Sequence, residues 1–257
     1  MTQKIIAVVN QKGGVGKTTT AINVAAQLVG AGKNTKQSVL LIDLDPQGNT
    51  TSGLGLAKDQ AQQTTYDVLS GEAQLANAVA ETHVVQLFVL PANANLAGAE
   101  VELVNRAERE FTLSRALQTA NYDYIIIDCP PSLGLLTINA LTAASSVLIP
   151  VQAEYYALEG LSQLLNTIQA VKGSTNPNLE LLGIVLTMFD KRNSLSEQVA
   201  KEVQNYFGDR LFKTVIPRNV RLAEAPSYGQ TIFEHDRWSK GARAYKALSR
   251  EVRDRLG

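Results

Sequence analysis

The sequence predicts a doubly wound α/β fold, in which a mostly parallel β-sheet carries helices on both of its faces. Apolar runs rich in Ile, Val and Leu recur along the chain without strict alternation, which is typical of strands that are buried on both sides. Amphipathic helical stretches separate these runs, and this order indicates repeated β-α-β crossovers. Because no linker interrupts the alternation, we expect a single domain that spans residues 1–257.

Seven apolar runs are predicted to be strands, at residues 5–9, 39–42, 87–90, 124–127, 147–151, 181–186 and 212–216. The first helix should begin near Lys17, because Ala21, Val24, Ala25 and Leu28 have the spacing of one helical face. A second helical stripe runs from residue 158 to residue 171. Ligands of such sheets bind at the carboxyl ends of the strands, so we expect the functional residues in the loops that follow the strands.

Composition and charge exclude several classes of protein. The single cysteine, Cys129, rules out an internal disulfide and a cysteine metal cluster within one chain. No apolar run is long enough for a signal peptide or a membrane span, so we expect a soluble, cytoplasmic protein. The net charge is zero but uneven: residues 1–189 hold 10 Lys and Arg against 15 Asp and Glu, and residues 190–257 hold 14 against 9. This asymmetry indicates either an anionic partner at the C-terminal end or simply a solvated basic face.

A glycine-rich loop follows the first predicted strand and leads into the first helix; it reads Lys12, Gly13, Gly14, Val15, Gly16, Lys17, Thr18, Thr19. Glycines allow backbone N–H groups to surround an anion, and the helix N-terminus adds partial positive charge. Lys17 can reach the β- and γ-phosphates of a nucleotide, and Thr18 offers a hydroxyl to Mg²⁺. We therefore predict a phosphate loop that binds ATP and Mg²⁺. It departs from the strict pattern, which has glycine where this chain has Gln11, and it contains a second lysine, Lys12.

This loop resembles the deviant Walker A motif of the ParA/MinD superfamily, to which the nitrogenase iron protein also belongs. The resemblance continues through residues 43–49, 127–131 and 216–226, and the last two stretches point to the short, Soj-like ParA partition ATPases. It implies a fold like that of the P-loop NTPases and the hydrolysis of ATP to ADP and phosphate. A nitrogenase-type cluster needs two cysteines per subunit, so we expect Cys129 to be a core residue.

Three aspartates lie at the ends of predicted strands. Asp43 and Asp45 close the second strand, and Asp128 closes the fourth. Buried carboxylates are costly unless they pair or face a cation. Asp128 has the position of a Walker B residue that holds Mg²⁺ through water, and Asp43 should support the same magnesium shell. The resemblance assigns to Asp45 the orientation or activation of the attacking water.

The resemblance also implies how the base and the partners are bound. Pro217 and Asn219 should line the purine, although the same residues are common in an ordinary turn after a strand. Lys12 should reach across the interface of an ATP-bound homodimer to the partner's phosphates. A ParB-like centromere-binding protein should stimulate hydrolysis.

Non-specific binding to DNA, and hence a location at the nucleoid, is a further implication. Arg192 and Arg221 match DNA-contacting arginines of the Soj-like branch and fall in the basic segment. The alternative is that they pair with nearby acidic side chains, which are Asp190, Glu224 and Asp236. Further basic residues, Lys240, Arg243, Lys246 and Arg250, could extend one face of the last helix.

Two other functions remain open at this point. The first is a MinD-like positioning ATPase that binds membrane through a C-terminal amphipathic helix. The last helix offers only a narrow apolar stripe of Tyr245, Leu248, Val252 and Leu256, which suits packing against the protein body, so no stable membrane binding is expected. The second is a regulatory scaffold that binds nucleotide without turnover.

Overall fold

The computed structural model describes residues 3–30, 37–59, 62–154 and 157–257, except for the side chains of residues 157–159. The strands are β1 (Lys4–Val8), β2 (Val39–Asp43), β3 (Ala80–Glu81), β4 (Leu87–Leu90), β5 (Tyr124–Asp128), β6 (Ser146–Gln152) and β7 (Glu180–Thr187). The α-helices are α1 (Lys17–Leu28), α2 (Asn49–Gly53), α3 (Thr65–Ser70), α4 (Leu75–Ala78), α5 (Leu96–Leu103), α6 (Thr112–Ala116), α7 (Leu135–Ala143), α8 (Ala157–Gly173), α9 (Ser194–Phe207), α10 (Val220–Glu224), α11 (Ile232–His235) and α12 (Lys240–Leu256).

The strands form one sheet in the order β3-β4-β2-β5-β1-β6-β7. Every neighbouring pair is parallel except β3 and β4, which are antiparallel. The short β3 at the edge is not among the predicted strands, because two residues carry no readable apolar pattern. The predicted fold class is confirmed: the sheet is mostly parallel and the connections between its central strands are helical.

Both faces of the sheet are buried, and successive residues of each central strand point to opposite faces. In β1, Ala7 packs in the cluster formed with α5, α7 and α8, whereas Ile6 and Val8 pack in the cluster formed with α1 and α12. This two-sided burial explains why the strands read as continuous apolar runs. Cys129 lies in the first cluster with 1% of its surface exposed, as expected of a core residue.

The prediction of a strand at residues 212–216 is wrong. Phe212 and Ile216 each donate a backbone hydrogen bond of 2.8 Å to a carbonyl of β7, so the two ends of the segment lie beside the sheet. Between them, the N–H groups of Lys213 and Thr214 each donate to the Glu251 carboxylate of α12 at 2.9 Å. Because Glu251 takes these donors, the segment forms no continuous ladder with β7, and the isolated bridges lie just outside it, at Leu211 and Pro217.

Helix α12 packs its apolar stripe inward. Tyr245, Leu248 and Val252 are at most 1% exposed and contact the cluster that contains α1, and Leu256 packs at its edge. No helix in the described part of the chain is long and apolar enough to cross a membrane. The stripe is therefore used for packing in this fold, as its narrow width indicated.

Candidate functional site

The glycine-rich loop between β1 and α1 is held in place by the side chains of Asn10 and Thr187. Asn10 donates its amide to the Pro150 carbonyl of β6 at 2.7 Å and accepts from the backbone N–H of Lys12 at 3.0 Å. On the other side, the Thr187 hydroxyl of β7 donates to the Val15 carbonyl at 2.8 Å. The loop is thus fixed by the ends of two neighbouring strands, as a preorganised anion site requires.

The inside of this loop has room for an anion. Gly14 and Gly16 have φ values of 74° and 88°, a left-handed conformation that an L side chain rarely adopts. A Cβ atom added at Gly13 or Gly14 would meet no atom within 4 Å. Helix α1 begins directly after Gly16 without a side-chain cap or an acidic residue in its first turn, so its N-terminal N–H groups lack a side-chain acceptor there. Open space bordered by such groups suits a phosphate.

The two lysines of the loop differ in exposure and direction. Lys17 is 7% exposed, and its ammonium donates to the Lys12 carbonyl of the same loop at 3.2 Å. Burial lowers the Lys17 pKa, and the negative charge of Asp128 opposes that shift. The Lys12 side chain is 46% exposed and pairs with Glu154 at 2.7 Å. Lys17 therefore belongs to the interior of the loop and Lys12 to its outer rim.

Asp128, at the end of β5, is a fully buried carboxylate of the site. It is 0% exposed, and its Oδ2 atom accepts from the hydroxyls of Thr18 at 2.7 Å and Thr50 at 2.8 Å. Its Oδ1 atom is buried and has no hydrogen-bond partner among the described residues. Burial raises the Asp128 pKa to about 7, and the neighbouring Asp43 adds to the effect. An unpaired buried carboxylate oxygen beside a threonine hydroxyl is a donor set that fits Mg²⁺.

Asp43 and Asp45 occupy different environments. Both oxygens of the buried Asp43 are engaged: Oδ2 accepts from the Thr51 hydroxyl at 2.6 Å and its N–H at 2.8 Å, and Oδ1 accepts from the Asp45 N–H at 3.3 Å. Burial raises the Asp43 pKa to about 6. Asp45 is 8% exposed and accepts from the Gln47 N–H at 2.9 Å. Through these hydrogen bonds Asp43 holds the turn that carries Asp45.

A cavity of about 300 Å³ adjoins the loop at Gly16 and Thr19. Pro217 and Asn219 both line it, among mostly apolar side chains, so the structure brings these two predicted residues next to the phosphate loop. Asn219 caps α10 by accepting from the Arg221 N–H at 2.9 Å. Because its oxygen is used in this way, the amide nitrogen is the group that could donate to a purine acceptor.

The two predicted DNA-contacting arginines lie in different settings. Arg192 is exposed and lines a groove of about 620 Å³ whose other basic residues are Lys191, Arg218 and Lys240. Arg221 instead pairs with Glu224 at 2.8 Å and with Asp236 at 3.7 Å, two of the acidic partners named above as the alternative. The exposed face of α12 adds Arg243, Lys246 and Arg250.

Sequence reasoning missed the hydroxyl and acidic partners of the site. Thr50 and Thr51 follow the Asp45 turn and hold Asp128 and Asp43, and both are fully buried. The two adjacent threonines, which follow soon after Asp43 and Asp45 in the sequence, could have indicated these hydroxyl partners. Glu154, which binds Lys12, and Thr187, which anchors the loop, follow or end other strands and carry no local pattern that links them to the loop.

Comparison with known proteins places the chain among nucleotide-dependent enzymes. A family model described as an AAA domain matches residues 3–181. The chain is 57% identical over 251 residues to the sporulation initiation inhibitor protein Soj of Bacillus subtilis. The aligned region covers 97% of this chain and 98% of that protein. It is 51% identical over 256 residues to the chromosome-partitioning ATPase Soj of Treponema pallidum, with 99% and 98% covered.

The fold and the cofactors agree with a solved structure. The structure is that of cobyrinic acid a,c-diamide synthase from Mycobacterium smegmatis with a bound ATP analog and magnesium. Its sequence is 40% identical to this chain, and the two structures superpose with a TM-score of 0.84 over 97% of this chain and 93% of the synthase chain. ATP and Mg²⁺ are thus the cofactors of the site, in keeping with the open loop and the unpaired oxygen of Asp128. The chain is an ATPase and belongs to the ParA/Soj family of chromosome-partitioning ATPases, which carry the deviant Walker A motif.

Proposed function

We propose that this single-domain protein is a DNA-partition ATPase that acts in the cytoplasm at the nucleoid. ATP binding drives dimerisation and non-specific DNA binding, and hydrolysis, stimulated by a ParB-like partner, resets the protein. The observation that carries this proposal is the contrast between the two lysines of the phosphate loop. Lys17 is buried and its ammonium donates to a carbonyl of its own loop. The Lys12 side chain is about half exposed at the outer edge of the loop, where a second protomer can approach.

The residues of one protomer can bind and orient the nucleotide. The loop N–H groups and Lys17 hold the phosphates, Thr18 and Asp128 hold the metal, and Pro217 and Asn219 line the purine cavity. Magnesium, when bound, supplies positive charge that offsets the charge of the transferring phosphoryl group. Asp45 orients the attacking water from a turn that Asp43 and Thr51 keep in place.

Non-specific DNA binding rests on the basic groove around Arg192 and on the exposed face of α12. Contacts with phosphates release counterions, so affinity rises steeply with the number of basic side chains engaged. A dimer presents two such surfaces, so weak binding by each protomer becomes useful binding by the pair. Arg221 takes part by exchanging Glu224 and Asp236 for phosphates, which exposed ion pairs allow at low cost.

The MinD-like alternative requires the last helix to place an apolar face in a membrane. Tyr245, Leu248 and Val252 are instead buried against the protein, which disfavours that function. Co-sedimentation with DNA and with anionic liposomes, each in ATP and in ADP, tests the choice. We expect ATP-dependent association with DNA and none with liposomes. ATP-dependent association with liposomes alone would refute the proposal.

A further inference from the structure

Gln11 and Lys12, the two residues in front of the loop glycines, both contact the start of α8: Gly160 lies in the first turn of that helix, and Glu154 shortly precedes it. The Gln11 amide donates to the Gly160 carbonyl at 2.7 Å, and the Lys12 ammonium binds Glu154 at 2.7 Å. A Cβ on Gly160 would lie 3.1 Å from the Gln11 amide nitrogen, so glycine permits this close approach. The side chain that replaces the usual glycine at position 11 therefore ties the outer side of the loop to the first turn of α8.

The ion pair between Lys12 and Glu154 occupies the side chain that the proposed function needs elsewhere. Glu154 also accepts from the Gln152 amide, so its carboxylate is held in position by its own strand. The two side chains of the pair are 46% and 47% exposed, so water can replace either partner and the pair opens at small cost. Lys12 can thus be bound within its own protomer or released, but it cannot serve two anions equally well.

We propose that Glu154 is a positioning residue that holds Lys12 within the isolated protomer and competes with the nucleotide phosphates of a second copy of the chain for the same ammonium. This inference rests on the proposed role of Lys12 across the dimer interface. Glu154 then raises the protein concentration at which ATP produces a dimer. The contact between Lys12 and Glu154 therefore disfavours the dimer until the triphosphate bound to the second copy offers the Lys12 ammonium a more highly charged partner.

The size of the effect follows from the exposure of the pair. An exposed ion pair changes an equilibrium by at most about five-fold. Each protomer gives up one such pair on dimerisation, so the effect on the dimer dissociation constant is at most about 25-fold. The Gln11 contact carries no charge and is not required to break.

The test is a concentration series by sedimentation velocity with a non-hydrolysable ATP analogue. Glu154→Gln should lower the dimer dissociation constant by about two- to 25-fold. The control Glu202→Gln removes one exposed charge from α9 and should leave that constant unchanged. In a Lys12→Ala background, which should stay monomeric, Glu154→Gln should not restore the dimer, because the ammonium that Glu154 holds is absent.

A second measurement reports on the isolated protomer. Amine acetylation followed by peptide mass spectrometry should show Lys12 reacting several-fold faster in Glu154→Gln than in the parent protein, without nucleotide. A parent protein that dimerises while Glu154→Gln leaves the dimer constant unchanged, or raises it, overturns this inference. A parent protein that stays monomeric with the analogue overturns the proposed function itself.

Discussion

Replacing Asp128 by Asn should stabilise the nucleotide-free protein at alkaline pH while weakening its response to Mg²⁺. The folded protein buries this carboxylate completely, gives two hydroxyl donors to Oδ2 and leaves Oδ1 without a partner among the described residues. Asparagine has the same shape and no charge. The change therefore removes the cost of burying a charge and, with it, a metal ligand.

The magnitude follows from the pKa of Asp128. Folding raises it from 3.8 to about 7, so the folded state binds the proton more tightly than the unfolded state. The associated stability is present below pH 4 and is lost as the pH rises to 7 and above. The loss amounts to about 4 kcal/mol. The asparagine NH₂ group would replace the partnerless oxygen at a cost of about 1–3 kcal/mol, which leaves a net gain of about 1–3 kcal/mol at pH 8.

Thermal unfolding followed by circular dichroism in EDTA measures this gain. For a chain of this length the midpoint should rise by roughly 2–12 °C at pH 8. The gain should disappear at pH 5, where the cost of burying the Asp128 charge has fallen to about 1.6 kcal/mol and the unpaired amide offsets it. Mg-ATP should raise the midpoint of the parent protein by more than that of the variant, which keeps Lys17 and the loop but lacks the Asp128 charge. The exposed control Asp209→Asn should show no such dependence on pH. Two results would refute this prediction: a variant with a lower unfolding midpoint than the parent at pH 8, or a difference in midpoint between variant and parent that is the same at pH 5 and pH 8.

The remaining predictions concern nucleotide binding, the switch and DNA. Lys17→Ala should weaken Mg-ATP binding by about ten- to a hundred-fold or more in calorimetry, because the phosphates lose a charged donor; unchanged affinity would remove the phosphate-loop assignment. In light scattering with ATP, Asp45→Ala should bind ATP without hydrolysis and accumulate as a dimer, and Lys12→Ala should stay monomeric; the reverse pattern would exclude both roles. In the Asp45→Ala background, Arg192→Ala and Arg221→Ala should each weaken binding to unrelated DNA sequences equally and flatten the slope of log affinity against log salt by about one to two; no change in the double variant places the DNA surface elsewhere.

The sequence predicted those features whose pattern lies within one short stretch of residues. Strands buried on both faces, such as β1 and β5, need continuous apolar runs, and the glycine loop shows its own spacing, so both were readable. Residues 212–216 have the same apolar character, but Glu251 from a distant helix takes the middle donors of that segment. No local pattern indicates such competition.

Contacts between residues that are far apart in the sequence could likewise not be predicted from it. The pairing of Lys12 with Glu154 joins two residues that lie 142 positions apart in the sequence. The sequence placed Asp43 and Asp128 at strand ends correctly, and the structure makes those two strands, β2 and β5, neighbours. It could not show that the oxygens of Asp43 are taken by Thr51 and a backbone N–H while one oxygen of Asp128 stays unpaired.

Sedimentation velocity of Asp45→Ala mixed with a short fluorescent DNA duplex, in ATP and in ADP, tests the central claim most directly. The claim is that bound ATP, through the dimer, switches DNA binding on. We predict that the labelled DNA sediments with a dimer of the protein in ATP and sediments free in ADP. Equal DNA binding in ATP and ADP, or a monomer on the DNA in ATP, would contradict the account.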